Sequence, residues 1–249
     1  GLGLTLAFHD LAHQVGLAER PIAFEWAEQV DDEPMPGDPR LMGTAAHKLL
    51  ELTPLDWVSA PGLKERLASL QRTSGLGTDH DDDVLRWVER FWTSPYGQRL
   101  PRARKVLREL PFVLRLGDDD FSLHLRGQID LLVIDQQVDV IDYKTTTPSA
   151  AGLEPYAFQL GCYALAARRF VEVPGVEVRA GISYLRRDDA TPCFLDGLPN
   201  DVDLERQLVE QARELVQSQA TRRWDLRPLE RCEALGCGYR FRCHGTSAS

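Results

Sequence analysis

The chain has 249 residues, enough for a full core in one large α/β domain or in a catalytic domain with small appendages. Hydrophobic residues at 43% and charged residues at 27% are ordinary for a soluble globular protein, and the longest apolar runs, such as residues 131–134, are far too short to span a bilayer. A net charge of −9 argues against simple whole-surface attraction to nucleic acid, while five cysteines, an odd number, argue against a secreted disulfide framework and for a reducing cytoplasm.

The start, GLGLTLAFHD, carries no basic leader or small-residue cleavage site and does not read as a secretory signal. Its abrupt apolar beginning looks like a boundary inside a longer protein. Two amphipathic stretches fall around 8–18 and 22–30, and the Pro- and Asp-rich 31–40 reads as a loop, so 1–40 forms a helical or linker segment. Gly43-Thr44 leads into AAHKLLEL, whose Leu49, Leu50 and Leu52 suit a buried helix ended by Pro54. Helices follow at 62–72 and 81–93, the latter with Val84, Leu85, Val88, Phe91 and Trp92 on helical spacing. Residues 102–110 read as one more helix, closing at Pro111. At Pro111 the period changes. Residues 112–116, 121–134 and 138–146 are β-rich runs split by GDDD and DQQ, a three-stranded antiparallel meander. A helix over 154–170, a strand over 178–185, a short strand at 193–195 and a helix over 201–220 follow, and 232–249 is a cysteine-bearing tail. The pattern predicts an α/β domain with an N-terminal helical part.

The second hairpin carries the sharpest inference. A loop of Asp135, Gln136 and Gln137 pairs Ile134 with Val138, and stepping back sets Asp130 opposite Asp142. Cross-strand partners have Cβ atoms about 4.5–5.5 Å apart, close enough for two carboxylates to share one divalent ion. Lys144, two residues past Asp142, projects from the same face, and a one-residue slip would break the arrangement. A hard cation held by carboxylates can neutralise a phosphodiester and acidify a bound water, and a neighbouring lysine can orient that water or stabilise developing charge. The bland alternative is an Asp142–Lys144 surface salt bridge worth under about 1 kcal/mol.

His47 and Glu51 lie four apart, on one helix face. The imidazole can ligate a metal and Glu51 can assist or position it, although taken alone a histidine on a helix surface is more often not a ligand. Gly43 would let the helix start approach another backbone closely. Gln159 and Tyr163 are also four apart and could reach toward Lys144 or a phosphate, or simply pack. Basic residues cluster at Arg99, Arg102, Arg104, Lys105 and Arg108, and again at Arg168–Arg169 and Arg222–Arg223, where each run also reads as a solvated helix face.

Taken in order, Gly43–His47–Glu51, Glu109-Leu-Pro-Phe, Arg126-Gly-Gln-Ile-Asp130, Ile141-Asp142-Tyr143-Lys144 and Gln159–Tyr163 resemble the RecB-type branch of the PD-(D/E)xK nucleases, which includes the nuclease domains of AddA and AddB helicase–nucleases. The resemblance spans roughly 41–170. It implies a restriction-endonuclease-like fold, with a central mixed sheet flanked by helices, a nuclease core over 41–231 and a helical insert at 54–109. It further implies that His47, Asp130 and Asp142 bind Mg²⁺ or Mn²⁺, completed by the backbone carbonyl of Tyr143. Lys144 is then the catalytic lysine, acting with Asp130 and Asp142, and Gln159, Tyr163 and Glu51 support the site or contact DNA. Glu109 stands where family members often carry a glutamate before an apolar strand.

Cys232, Cys237 and Cys243 follow C-x4-C-x5-C with His244 adjacent, and CGYRFRC resembles family tails that hold a [4Fe–4S] cluster. The usual upstream fourth cysteine is missing, since residues 1–161 contain none. An iron–sulfur cluster with another ligand, a zinc site using His244, and a relic that binds nothing all remain open. The functional expectation is a cytoplasmic, divalent-metal-dependent DNA nuclease acting on single strands or DNA ends. It would serve a helicase domain or partner in end processing and recombinational repair. The runner-up is a silent nuclease-fold domain that binds DNA or scaffolds a helicase.

Overall fold

The computed structural model describes residues 2–7, 39–76, 81–148, 152–171, 176–221 and 228–230. The stretches expected at 8–18 and 22–30, most of the 31–40 loop, and the tail with Cys232, Cys237, Cys243 and His244 lie outside the described residues. In chain order the elements are β1 (Leu2–Ala7), α1 (Pro39–Leu52), α2 (Leu55–Val58), α3 (Leu63–Thr73), α4 (Asp81–Thr93), α5 (Pro95–Arg99), β2 (Lys105–Gly117), β3 (Phe121–Ile134), β4 (Val138–Lys144), α6 (Ala157–Val171), β5 (Val178–Tyr184), β6 (Cys193–Phe194) and α7 (Asp201–Thr221). Short 3₁₀ turns precede β2 at Leu100–Arg102 and α6 at Glu154–Tyr156. Among the described residues no helix is long and apolar enough to cross a membrane.

The chain divides into two compact units, the boundary falling within β2 at Val113/Leu114 and within β3 at Arg126/Gly127. The larger unit, Val30–Val113 with Gly127–Pro199, contains every candidate site residue described. Its sheet runs β3-β4-β5-β6: β3 and β4 are antiparallel, β4 and β5 parallel, β5 and β6 antiparallel. The parallel pair needs a crossover, which α6 supplies. β4 is buried along its length except at Lys144, as a strand covered on both faces should be. On one side the helices contribute Leu49, Leu50, Leu67, Val84, Val88, Phe91, Trp92 and Leu100, packed with Leu131, Val133, Ile141 and Tyr143 of the sheet.

A buried carboxylate fixes the start of β4. Asp139 is 1% exposed and accepts from Tyr96 Oη at 3.0 Å, from Arg179 Nη2 at 2.8 Å and Nε at 3.0 Å, and from Arg99. An ionised carboxylate so deeply buried is tolerable only with such charge-assisted bonds. Here they tie α5, β4 and β5 together.

In the smaller unit β1 runs parallel to the first half of β3, from Leu2 opposite Phe121 to Ala7 opposite Arg126. Arg213 of α7 stacks over the Phe121 ring at 4.8 Å and lies 3.3 Å from Asp118.

Most predicted elements are present, and the β3–β4 register is as expected, Ile134 opposite Val138 through Leu131 opposite Ile141. One prediction fails. Residues 102–110 are not a helix: a 3₁₀ turn ends at Arg102 and β2 begins at Lys105. The charged-apolar spacing of Arg104 to Leu110 imitates a helix because that part of β2 lacks two-residue alternation. Residues 106–110 are all half-buried, and clean alternation begins only at Pro111. Strand β1 and the short helices α2 and α5 have no counterpart among the predicted elements.

Helix α5 shows how tightly the helical side is packed. Ser94 caps it, accepting from the Gly97 N–H at 3.0 Å, and Pro95 occupies its first turn. A Cβ on Gly97 would lie 2.1 Å from the Phe91 carbonyl oxygen, so two backbones meet where only glycine fits. Gly97→Ala is therefore expected to lower unfolding free energy by about 1–3 kcal/mol in urea denaturation. An unchanged midpoint would show that this contact relaxes freely.

Candidate active site

The site forms where α1 crosses the end of the β3–β4 hairpin. Gly43 and His47 are one turn apart on α1 and both meet the end of β4. A Cβ on Gly43 would lie 3.4 Å from Thr145 Oγ1, so the close neighbour is a side chain rather than a backbone. His47 Nε2 is 3.2 Å from the Tyr143 carbonyl oxygen, and its ring stands edge-on to Tyr143, centroids 5.6 Å apart at 88°. The other nitrogen, Nδ1, lies 3.6 Å from both Asp130 Oδ2 and Glu109 Oε1.

Asp130 sits one residue beyond the paired segment of β3, and the register carried one step further sets it opposite Asp142. Its Oδ2 accepts the Tyr143 N–H at 2.7 Å, so the carboxylate closes the ladder where backbone pairing ends. Across the sheet Lys144 Nζ is 2.8 Å from Asp142 Oδ2. Gln159 Nε2 donates to Asp142 Oδ1 at 3.0 Å and lies 3.0 Å from Tyr163 Oη. Tyr163 stands edge-on to Phe112, and Lys144 lies 5.4 Å over the Tyr156 ring.

Glu109 enters from β2 with φ +48, a left-handed conformation that costs a non-glycine residue about 1–2 kcal/mol. Its Oε2 accepts from Gln128 Nε2. Its Oε1 is buried without a hydrogen-bond partner among the described residues.

Electrostatics follow from burial and crowding. Burial first, then the neighbouring Asp142, push the Asp130 carboxyl from 3.8 up to about 7. Burial alone would lower His47, but Glu109, Asp130 and Asp142 outweigh it and raise it. Lys144 likewise resists desolvation because Asp142, then Asp130, hold it charged.

The donor set fits a divalent cation. One nitrogen or oxygen from each of His47, Glu109 and Asp130 falls within 4.8 Å of the others, and oxygen with imidazole nitrogen suits Mg²⁺ or Mn²⁺.

The expected residues divide into those gathered here and those engaged elsewhere. His47, Asp130, the Tyr143 carbonyl, Asp142, Lys144, Gln159 and Tyr163 converge. Asp142 meets Lys144 and Gln159 rather than joining the compact ligand trio. Glu51 pairs with Lys48 at 2.6 Å instead of with His47. Of the basic run, Arg99 is spent on Asp139 and Arg108 on the Leu50 and Thr53 carbonyls at the end of α1. Glu109, carried only as part of a motif in the sequence, lies beside His47 and Asp130, its Oε1 3.6 Å from His47 Nδ1. Its position on an irregular strand gives no periodic signal.

The family model for the PD-(D/E)XK nuclease superfamily matches residues 15–244, and the chain belongs to that superfamily. Among curated relatives, an ATP-dependent helicase/nuclease of the AddA type from Desulfitobacterium hafniense is 31% identical over 169 residues, covering 59% of this chain and 12% of that protein. Its counterpart in Carboxydothermus hydrogenoformans is 28% identical over 178 residues, covering 63% of this chain and 15% of that protein. The matched segments are thus a small part of these relatives' length. The solved structure of SSO0001 aligns over 71% of this chain and 84% of its own at 14% identity and a TM-score of 0.36, too low a similarity to bear on function.

The raised Asp130 carboxyl predicts a pH dependence for the metal-free protein. In the folded chain it keeps its proton to about pH 7, whereas unfolded it releases it near 3.8. The unfolded state therefore binds fewer protons between those values, and stability falls as pH rises through them. Raised His47 adds a decline of the same sign at higher pH. In EDTA, the thermal midpoint should drop from about pH 5 to about pH 7.5, and Asp130→Asn should flatten that drop. A wild-type midpoint that rises over this range would contradict the assignment.

Proposed function

We propose that this chain is a divalent-metal-dependent DNA nuclease, and that it works as the nuclease domain of a helicase–nuclease in DNA end processing and recombinational repair. The observation that carries the reading is the gathering of His47, Asp130 and the Tyr143 carbonyl, with Glu109 facing His47 from behind, beside the Asp142–Lys144 pair. Superfamily membership supports the reaction class, and the relatives' names support the helicase context.

His47, Asp130, Asp142 and the Tyr143 carbonyl would hold Mg²⁺ or Mn²⁺. A bound ion of this kind supplies positive charge to the scissile phosphate and an acidified water. The protein's own residues do the rest. Asp142 keeps Lys144 protonated, so its ammonium can hydrogen-bond the attacking water or a phosphate oxygen as negative charge develops. Gln159, braced by Tyr163, fixes the Asp142 carboxylate and thereby the lysine's direction. Asp130, tied to the Tyr143 amide, steadies the carbonyl on the other side of that residue. Single strands or DNA ends are the substrates proposed, with a helicase supplying the strand and most of the basic surface that a chain of net charge −9 lacks.

Cleavage of labelled single- and double-stranded DNA with Mg²⁺ or Mn²⁺ tests this. Wild type should cut only with metal, and Lys144→Ala and Asp142→Ala should each lose at least about 100-fold in rate. Folded wild type that cuts neither substrate with either metal, alone or with the helicase portion attached, would sink the reading.

A further inference from the structure

In a regular strand, consecutive side chains point to opposite faces. At Arg108 and Glu109 they do not: both reach the same helix. Arg108 Nη1 donates to the carbonyls of Leu50, at 3.0 Å, and Thr53 at the end of α1, while Glu109 Oε1 faces His47 Nδ1 at 3.6 Å about one turn earlier. The backbone makes this possible, because Glu109 at φ +48 leaves the extended region and breaks the alternation of β2. Gln128 on β3 then holds the far oxygen of the Glu109 carboxylate.

We infer that Arg108 and Glu109 form a clamp on α1 in which Glu109 is the positioning residue for His47. The inference rests on the proposed metal site. An imidazole has one nitrogen to give to an ion, and it ligates well only when the other keeps its proton on a fixed acceptor. Two carboxylate oxygens lie 3.6 Å from Nδ1; Asp130 Oδ2 already accepts the Tyr143 N–H, whereas Glu109 Oε1 is buried without a hydrogen-bond partner among the described residues and is the acceptor left for Nδ1–H. Nε2, which donates to the Tyr143 carbonyl at 3.2 Å while the imidazole is protonated, is then the nitrogen left for an ion once that proton is lost. Arg108 stops α1 from sliding or rotating along β2, which would carry His47 off the strand end. The left-handed residue is retained because a relaxed backbone would turn one of the two side chains away from the helix.

The test is Mn²⁺ affinity of the full chain, read from the free-ion EPR signal, with DNA cleavage recorded separately. Glu109→Ala should bind Mn²⁺ about 10–100-fold more weakly, the usual effect of losing an outer partner. Glu109→Gln, whose amide oxygen can still accept from Nδ1–H, should keep most of the affinity. Cleavage by Glu109→Ala should recover as Mn²⁺ is raised, and its thermal midpoint in EDTA should match that of wild type. If Glu109→Ala binds Mn²⁺ within twofold of wild type, the positioning role is wrong. If Glu109→Gln falls as far as Glu109→Ala, Glu109 is a direct ligand and the inference is again overturned. His47→Ala separates the two levels. Should it bind Mn²⁺ like wild type, the metal-site reading itself fails, whatever Glu109 does.

Discussion

One hydrogen bond organises this site: the Asp130 carboxylate accepting the N–H of Tyr143 at 2.7 Å. The β3–β4 ladder pairs through Leu131 and Ile141, and an unpaired amide just beyond it would be costly in a buried strand. Asp130 satisfies that amide with a side chain and so holds Tyr143, between Asp142 and Lys144, from one edge. The Tyr143 carbonyl consequently faces His47, while the flanking residues, Asp142 and Lys144, project toward α6. Three consecutive residues of β4 thus present a carboxylate, a backbone oxygen and an ammonium from one short stretch of backbone.

Such crowding of carboxylates has an electrostatic consequence. Burial and the neighbouring Asp142 raise Asp130, and the carboxylates around His47 raise it against its burial. The same physics divides two buried acids of the β3–β4 hairpin. Asp139 is surrounded by two guanidiniums and a tyrosine hydroxyl, so its charge is matched within the protein. Asp130 has one backbone N–H and a histidine it shares with a second carboxylate. A buried acid with its counter-charge built in holds the fold together, whereas one without it has its carboxyl pushed up toward neutrality.

The site is more legible in the sequence than the scaffold beneath it. The Asp135–Gln137 loop sets the hairpin register, and from that register Asp130, Asp142 and Lys144 follow by counting. Helical spacing marks α4 and the Gln159–Tyr163 stripe. Local patterning carries no record of pairing between distant strands, so the parallel β4–β5 pair emerges only from topology. The first half of β2 imitates a helix for a related reason. With Glu109 in the left-handed region and Arg108 and Glu109 turned to the same helix, its side chains follow neither period. Glu51, in turn, shares a helix face with His47 but finds Lys48 first. Spacing places two residues on one face without deciding which partner each takes.

The irregular strand and the compact helical packing serve the same end. His47 is carried by a helix, so its position relative to β4 depends on everything that seats α1: Leu49 and Leu50 in the core, Gly43 against Thr145, and Arg108 on the terminal carbonyls. Each alone leaves a degree of freedom. Core burial permits sliding along the helix axis, the Gly43 contact permits rocking about it, and the Arg108 bonds hold only one end. Together they leave the imidazole one orientation. The basic residues that could have served a nucleic-acid surface are partly consumed in this work, Arg99 on Asp139 and Arg108 on α1. The arginines that give the site its rigidity are thereby withdrawn from the surface of a chain whose net charge is already negative.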